Sequence, residues 1–461
     1  MELAHTPKSC WDIFSSQEER VALEEAATEY IAFLSRCKTE RETVQWVVEQ
    51  AEAAGFRQEW AEGAVYRELK GKTVLLARRG RRPLREGVRL LGAHADTPRL
   101  DFKQHPVYED GGMALGKTHY YGGIRKYQWL ARPLALHGVV VKENGETVRV
   151  CLGEDQGDPV LTIADLLPHL AQEQNERKVT EAFEAEKLNI VLGHMPQGQD
   201  PSSEGDSKEG DRVKKRVLTL LNAKYGIIEE DLYSAELQAV PAGPARCVGL
   251  DEALIGGYGQ DDRICVFCGL KALLAEEDPE FTQVVIFWDK EEIGSDGATG
   301  AKSLFMEYSL QDMLRAWEPE TALSELFFAT KALSGDVHGA LDPDFQDLHD
   351  KYNTSRLGYG PVFCKFTGHR GKVGANDAHA EYVAWWRRLL NRASIPWQMA
   401  EIGKVDKGGG GTVAKHLAIY GMDIIDFGPG VLGMHSPFEL SSKADLYATI
   451  KAFQAFLGSK E

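Results

Sequence analysis

Two amphipathic patterns open the chain. Ser16 and Glu19 form a capping-box pair in front of apolar residues at helical spacing, and Thr39 and Glu42 form a second pair in front of another such series. Gly55 follows the second series and is a residue typical of a helix end. The pattern therefore predicts two helices before the first strand.

Short apolar runs farther along the chain predict β-strands, and helical patterns separate them. We assign strands to residues 73–77, 88–91, 281–288, 325–332, 362–366 and 424–427, and a last helix to residues 442–457. Strands that alternate with helices are typical of a mostly parallel sheet with helices on both faces. The expected class is therefore α/β.

The pattern changes between residues 102 and 245. Short β-like runs at residues 134–141 and 148–152 alternate there with glycines. We expect residues 102–245 to form an inserted, β-rich second domain, between the two parts, residues 1–101 and 246–461, of the first domain. A polar, Gly/Ser-rich stretch near residues 197–216, most marked at 201–216, predicts a mobile loop within the insert.

Composition excludes several classes of protein. The formal net charge of −17 argues against nucleic acid as a partner, because phosphate binding needs a basic surface. No apolar run approaches the roughly 20 residues that a membrane span needs, and residues 1–8 lack the pattern of a secretory signal. We expect a cytoplasmic protein without a membrane partner.

Seven cysteines include a single Cys-x-x-Cys pair, Cys265 and Cys268. A zinc knuckle needs a second such pair or a histidine pair, and the sequence has neither. The pair also lies in an apolar, helix-like run, which indicates buried thiols in a reducing compartment.

Five short segments place His, Asp or Glu directly after a predicted strand or at a helix start. They are residues 92–97, 259–263, 288–295, 334–338 and 433–439. Each alone has an ordinary structural explanation, such as a solvated loop, a charged turn or an Asp that caps a helix. Ligands of open α/β sheets, however, bind beyond the carboxyl ends of the strands, so we expect the five segments to converge.

The side chains of these segments suit a pair of metal ions. Two His, two Asp and one Glu can hold two ions that share one carboxylate, and imidazole with carboxylate suits Zn²⁺, Co²⁺ or Mn²⁺. Such ions lie roughly 3.5–4 Å apart. His338 is an additional candidate ligand.

Taken together, the five segments resemble the metal-site motifs of the M18 aminopeptidases, and the resemblance covers nearly the whole chain. It also includes residues 121–123 and 133–134 of the long central segment, which the related M42 and M20 metallopeptidases lack. The resemblance implies a dinuclear zinc exopeptidase-like fold with an inserted domain. It further implies an enzyme that removes N-terminal residues from peptides. Each subunit would bind two divalent ions, which we expect to be zinc, with cobalt or manganese as the alternatives.

The resemblance also implies a role for each matching residue. These are His94 and Asp336 as ligands of the first metal, Asp261 as the bridging ligand, Glu292 and His435 as ligands of the second metal, Asp96 as the carboxylate that supports His94, and Glu291 as the general base. In the implied mechanism Glu291 takes a proton from the attacking water and returns it to the leaving amine.

The resemblance also bears on how the subunits assemble and on which N-terminal residue the enzyme prefers. It implies a homo-oligomer, a tetrahedral dodecamer, in which the inserted domain of one subunit presents a histidine to the next active site, and His169 matches that segment. Lys404 and Lys407 precede four glycines, residues 408–411, and could pair with an acidic substrate side chain. Solvated lysines are the alternative, so the N-terminal residue is either acidic or drawn from a broader, neutral range.

Two other classes of function stay open at this point. A phosphodiesterase with two metals would need basic residues at the ions, and Lys290 and Arg263 are the candidates. A non-catalytic assembly protein with the same fold would tend to have lost ligands or the base, whereas every expected position is filled here.

Overall fold

The computed structural model describes residues 3–4, 6–61, 63–198, 211–368 and 370–461. The chain divides into two compact units. The first consists of Met1–Thr97, Ala245–Met434 and Phe438–Glu461, and the second of Pro98–Pro244 with His435–Pro437.

The first unit is built on a large mixed sheet. Its strand order is Ala64–Leu69, Thr73–Arg78, Gln283–Trp288, Arg89–His94, Lys331–Ser334, Asp423–Gly428, Val362–Cys364 and Gln398–Met399. The central strands, from Gln283–Trp288 to Asp423–Gly428, are mutually parallel. Their carboxyl ends therefore meet at one edge, as the alternation of strands and helices predicts.

Helices cover both faces of this sheet. The helices of the first unit are Cys10–Ile13, Gln17–Arg36, Glu40–Ala53, Gln260–Leu274, Phe305–Trp317, Leu323–Ala329, Ala380–Arg392, Ala414–Leu417 and Lys443–Leu457. Adjacent strand residues face opposite ways: Leu91 joins the core on one face and Leu90 the core on the other. Burial of each such side chain contributes roughly 1.5–3 kcal/mol.

The two predicted N-terminal helices are confirmed together with their caps. The Ser16 hydroxyl accepts the N–H of Glu19, and Thr39 and Glu42 form a complete capping box. The second helix ends before Gly55, whose φ is 90°. Such caps satisfy N–H groups that have no partner inside the helix.

The strand predicted at residues 325–332 is wrong. Leu323–Ala329 is a helix, and the strand is Lys331–Ser334. Leu326 and Phe327 pack into the core while Phe328 stays 73% exposed. A short apolar run of this kind fits a helix as well as a strand, and the N–H of Ala322 bonded to the Glu325 carboxylate stabilises the helix start.

A small second sheet in the first unit was not predicted. Its strand order is Arg246–Val248, Leu254–Gly257, Glu439–Ser442, Gly430–Leu432 and His338–Gly339. In this sheet the strand Leu254–Gly257, which precedes the helix Gln260–Leu274, pairs with the strand Glu439–Ser442, which follows His435 in sequence. The sheet therefore fixes the start of that helix.

The second unit contains an antiparallel sheet. Its strand order is Thr147–Leu152, Leu134–Val141, Ala235–Pro241, Arg99–Asp110, Met113–Tyr121 and Ile190–Gly193. The helix Arg212–Tyr225 packs Val213 and Val217 against Ala114 of this sheet. The β-rich character predicted for this region is thus present.

The loop predicted near residues 197–216 is only partly within the structure. Residues 199–210 lie outside the described residues. The last part of the predicted loop is wrong, because the helix begins at Arg212, where the backbone carbonyl accepts the N–H of Gln197. Within the described part of the chain, no helix has both the length and the apolar character to cross a membrane.

Candidate metal centre

Three segments that carry predicted ligands leave the large sheet side by side. The strand Arg89–His94 pairs in parallel with Gln283–Trp288 on one side and with Lys331–Ser334 on the other. His94 ends the first strand, Glu291 and Glu292 follow the second, and Asp336 follows the third. Parallel pairing alone thus delivers these side chains to one edge.

His94 is oriented through both ring nitrogens. Its Nε2 lies 3.3 Å from Asp261 Oδ1 and 4.0 Å from Asp336 Oδ1. Its Nδ1 lies 3.0 Å from the backbone oxygen of Asp96 and 3.2 Å from the Asp96 carboxylate. An imidazole held at Nδ1 by oxygen presents Nε2 as the ligand atom.

Asp261 lies at the irregular start of the helix Gln260–Leu274. Asp261 and Asp262 have non-helical backbone angles, with a cis peptide bond between them. Gly259, with φ of 72°, precedes them, and a Cβ there would overlap the guanidinium of Arg263. The Thr97 hydroxyl donates to the backbone carbonyl of Asp261 at 2.7 Å, which joins this helix start to the loop after His94.

The Asp96 carboxylate holds the two adjacent glutamates. Its Oδ1 accepts the N–H of Glu291 at 3.1 Å and its Oδ2 accepts the N–H of Glu292 at 3.2 Å. Lys290 and Gly294 flank these glutamates in the left-handed region, with φ of 69° and 97°. Asp96 therefore fixes the turn that carries both glutamates as well as the ring of His94.

The predicted ligands form two overlapping groups in the first unit. His94, Asp261 and Asp336 bring one ligand atom each to within 4.8 Å of one another, and so do His94, Glu291 and Glu292. One imidazole with carboxylate oxygens is a donor set that zinc accepts. The residues present therefore fit the metal that the sequence predicts.

The electrostatics of the cluster also favour a cation. Burial raises the pKa of Asp336 well above its usual range, and the charges of Asp262 and Asp261 raise it further. Burial likewise raises the pKa of Asp262 well above the usual range, with the charge of Asp261 adding to it. Buried carboxylates this close repel each other when ionised, and a divalent cation removes that repulsion.

The pKa of His94 is raised as well, but for a different reason. Burial is the largest single influence and lowers its pKa, but hydrogen bonds to Asp261 and Asp96 outweigh it and raise the pKa well above the usual range. The imidazole is therefore surrounded by negative charge.

His435 lies in the loop between the strands Gly430–Leu432 and Glu439–Ser442. It belongs to the segment that groups with the second unit, although its neighbours Met434 and Phe438 belong to the first. Its φ is 65°, and its Nδ1 lies 3.1 Å from the backbone oxygen of Gly123.

The remaining candidates take no part in the two ligand groups of the first unit. His169 is exposed in the turn Pro168–Leu170 of the second unit. Lys404 and Lys407 are exposed on a turn of the first unit. His338 is buried, with Nδ1 3.1 Å from the Ser355 hydroxyl, and burial lowers its pKa to about 4.

Glu439 is a residue of the centre that sequence reasoning missed. It is 1% exposed, and its Oε2 accepts the N–H of Gln260 at 2.5 Å and that of Asp261 at 3.2 Å. The Gln260 side chain donates in turn to the Glu439 carbonyl at 2.7 Å. A glutamate at the end of the last of the five segments was the available signal.

Arg263 does not offer its charge to a ligand. It is fully buried and donates to the backbone carbonyls of Cys37, Gly259 and Tyr258. A phosphate-binding role, which the phosphodiesterase alternative required, has no support from this arginine. Cys265 and Cys268 are buried free thiols, as predicted.

Comparisons with known proteins find relatives and solved structures that are similar over nearly the whole chain. A family model described as "Aminopeptidase I zinc metalloprotease (M18)" matches residues 33–457. A "Probable M18 family aminopeptidase 1" of Clostridium acetobutylicum is 45% identical over 466 residues, 98% of each chain. The crystal structure of an M18-family aminopeptidase from Thermotoga maritima has a TM-score of 0.92 at 45% identity, covering 98% of this chain and 99% of that one. The S. cerevisiae mApe1 dodecamer, at 20% identity, has the same fold, with a TM-score of 0.76 over 95% of this chain and 98% of that one.

Proposed function

The chain belongs to the M18 family of zinc aminopeptidases, and from this premise we propose that it hydrolyses the N-terminal peptide bond at a centre of two zinc ions. The observation that carries the proposal is the pair of overlapping ligand groups that share His94. The two groups have His94 in common and differ in their carboxylates, which is the donor set that two neighbouring ions need.

Each ligand has an assigned ion in this proposal. His94 and Asp336 hold the first ion, Asp261 bridges, and Glu292 with His435 holds the second. The assignments of His94, Asp336 and Asp261 are supported by the distances from His94 Nε2 to the two aspartates. That of Glu292 is supported by the ligand group that it forms with His94 and Glu291. His435 rests on the family motif. Co²⁺ and Mn²⁺ are the alternative metals for such ligands.

The bound ions would supply Lewis-acid polarisation of the scissile carbonyl and a lower pKa for the attacking water. Glu291 takes one proton from that water as its oxygen bonds to the carbonyl carbon. Glu291 then gives the proton to the amine nitrogen as the C–N bond breaks. Asp96 holds Glu291 in position through its backbone N–H.

Specificity for the N-terminal residue is a separate question. Lys404 and Lys407 are exposed and stand directly before the glycine segment. If the preferred residue is acidic, we expect one of these lysines to pair with its carboxylate; if it is neutral, both lysines stay solvated.

The second unit is proposed to mediate assembly into a tetrahedral dodecamer. Leu166, Leu167 and Leu170 surround His169 and are 43%, 48% and 68% exposed. Apolar side chains exposed together mark protein-interaction sites. A second copy of the chain would cover them, and His169 would then reach the neighbouring active site. Residues 102–245 are thus proposed as the oligomerisation domain of a peptidase whose catalytic parts are residues 1–101 and 246–461.

A cytoplasmic location belongs to the same proposal. All seven cysteines are free. Free thiols are typical of a reducing compartment, where disulfides are rare.

A panel of aminoacyl anilides tests the proposed function, with Asp, Glu, Leu, Met and Lys as N-terminal residues. Each is assayed after chelation and again after Zn²⁺, Co²⁺ or Mn²⁺ is added back. We expect chelation to abolish release and zinc to restore it, with two ions per chain by metal analysis. Metal-independent release, or none from a folded protein that binds two ions, would contradict the proposal.

A further inference from the structure

The first unit contains a cavity of about 330 Å³ that the catalytic mechanism above does not use. It lies between two loops, one after the strand Val362–Cys364 and one that ends in the glycine segment, residues 408–411. Its lining includes Cys364, Phe366, Arg370, Ile402 and residues 408–410, and also Lys404, which is proposed above as a partner of an acidic N-terminal residue. The N–H of Gly368 donates to the carbonyl of Gly410 at 2.6 Å, which joins the two loops.

The backbone of the glycine segment has free hydrogen-bond donors. Among the residues that the structure describes, none accepts the N–H groups of residues 409–413. Residues 408–410 are half-buried in the cavity wall. N–H groups of half-buried residues that have no acceptor among the described residues are suited to bind an acceptor on a ligand.

A buried carboxylate ties this segment to the metal centre. The Thr412 hydroxyl donates to Asp426 Oδ1 at 2.6 Å, and Asp426 is 4% exposed. Asp426 lies directly opposite Ser334 in the large sheet. Ser334 is two residues before Asp336, so the tether ends beside the strand that leads to a proposed metal ligand.

The cavity is also within electrostatic reach of the centre. Burial raises the pKa of the Cys364 thiol, which lines the cavity, and the charges of Asp426 and Asp336 raise it further. Cys364 also lies directly opposite Asp426 in the sheet, so one wall of the cavity lies beside the residue that holds Thr412.

We propose that the N–H groups of residues 409 and 410 bind main-chain carbonyl oxygens of the substrate peptide on the C-terminal side of the scissile bond. This deepens the proposed function and rests on it. In the proposed mechanism the scissile carbonyl would be polarised at the metal centre, so the carbonyls of the leaving peptide are main-chain acceptors available to these donors. Thr412 and Asp426 are positioning residues, because they hold the donors at a fixed place relative to Asp336.

The test compares two substrates with the same N-terminal residue, a pentapeptide and an aminoacyl anilide. The anilide has no main-chain carbonyl beyond the scissile bond. Thr412→Val removes the tether, and we expect the KM ratio of pentapeptide to anilide to rise about tenfold, the effect of a lost hydrogen bond to a charged group. Thr412→Ser keeps the hydroxyl and should restore the wild-type ratio.

A second variant removes a donor directly. Gly410→Pro deletes one N–H, and it should raise the same KM ratio while the zinc content is unchanged. Thr28→Val serves as the control, because it removes a helix-surface hydroxyl that bonds only to the Glu24 carbonyl. Its ratio should equal that of the wild type.

Three results separate the possibilities. A rise in the ratio for Thr412→Val and Gly410→Pro supports the inference. An equal change for both substrates, or no change, overturns it. A wild-type protein that releases nothing from the anilide refutes the proposed function itself, whatever the variants do.

Discussion

At the level of single residues, Glu291 and Glu292 are neighbours in sequence but have different proposed roles. Glu291 is the proposed general base and Glu292 a proposed metal ligand. Both N–H groups bond to Asp96, so the same carboxylate fixes the direction of both side chains. A ligand must stay ionised on a metal, whereas a general base must exchange a proton. Substitution of the base alone should therefore separate catalysis from metal binding.

Glu291→Gln is predicted to lower kcat by about 10²–10⁴-fold, the usual contribution of a general base. The amide keeps the size of the side chain but cannot take the proton from water. Metal analysis should still find the wild-type zinc content. Glu320→Gln, at an exposed position of the same unit, is the control and should leave kcat unchanged. Near-normal turnover by Glu291→Gln would refute the assigned role.

Asp445 is a buried carboxylate away from the metal centre and gives a prediction about pH. It accepts the N–H groups of Gly358 and Gly360, each at 2.7 Å. Burial raises its pKa to about 7, although these bonds lower it. A carboxyl whose pKa is higher in the folded than in the unfolded protein stabilises the fold at low pH, and that contribution is lost as the pH rises from about 4 to about 7.

Calorimetry can isolate this contribution by comparing the wild type with Asp445→Asn. As the pH rises from about 4 to about 7, the free energy of unfolding of the wild type should fall by a few kcal/mol relative to that of Asp445→Asn. Asp344→Asn, at an exposed position, should show no such shift. A difference in Tm that is flat between pH 4 and pH 7 would contradict a raised pKa at Asp445.

At the level of elements, the start of the helix Gln260–Leu274 decides the position of Asp261. Glu439 accepts the N–H groups of Gln260 and Asp261, so a strand of the small sheet holds the helix end that carries the bridging ligand. Removal of such a supporting group typically costs 10–100-fold in metal affinity.

Glu439→Gln is predicted to weaken zinc binding by about tenfold or more, because one of its oxygens becomes an amide donor that faces backbone donors. Competition with a chromogenic chelator measures the affinity. Glu381→Gln changes an exposed glutamate in the first turn of another helix, Ala380–Arg392, and is the control. Equal zinc affinity for wild type and Glu439→Gln would show that the small sheet does not support the centre.

The sequence predicted the elements whose signal is local. The caps at Ser16 and Thr39 and the buried run within Gln283–Trp288 were confirmed because each depends on neighbouring residues alone. The run at residues 325–332 was assigned wrongly because short apolar runs lack a decisive period. Glu439 was missed because its partners lie about 180 residues away in sequence, a relation that no local pattern contains.

The proposed ligands were predictable for a different reason. In parallel sheets the topology brings the carboxyl ends of strands together, so chemistry placed directly after strands must converge. His94, Glu292 and Asp336 follow three adjacent strands. The distances among them, and the support that Asp96 gives to the turn after Trp288, needed the structure.

At the level of the whole molecule, the proposed assembly rests on the apolar segment around His169. Leu170 is 68% exposed, and a glutamate there would place a charge in the proposed contact between copies. If the proposed dodecamer forms, light scattering will give a mass twelve times that of one chain for the wild type and a smaller particle for Leu170→Glu. Leu250→Glu, at a fully exposed leucine of the first unit, is the control and should keep the large mass.

Leu170→Glu also tests whether the second unit contributes to catalysis. If His169 of one copy reaches the active site of the next, the dissociated Leu170→Glu protein should keep its zinc and lose turnover, because the ligands proposed here all lie within one chain. His169→Ala should then lose turnover while it stays assembled, which separates the histidine from the contact. Full activity of a dissociated Leu170→Glu protein would show that the second unit serves assembly and not catalysis. A monomeric wild type would contradict the proposal that the exposed leucines form a contact between copies.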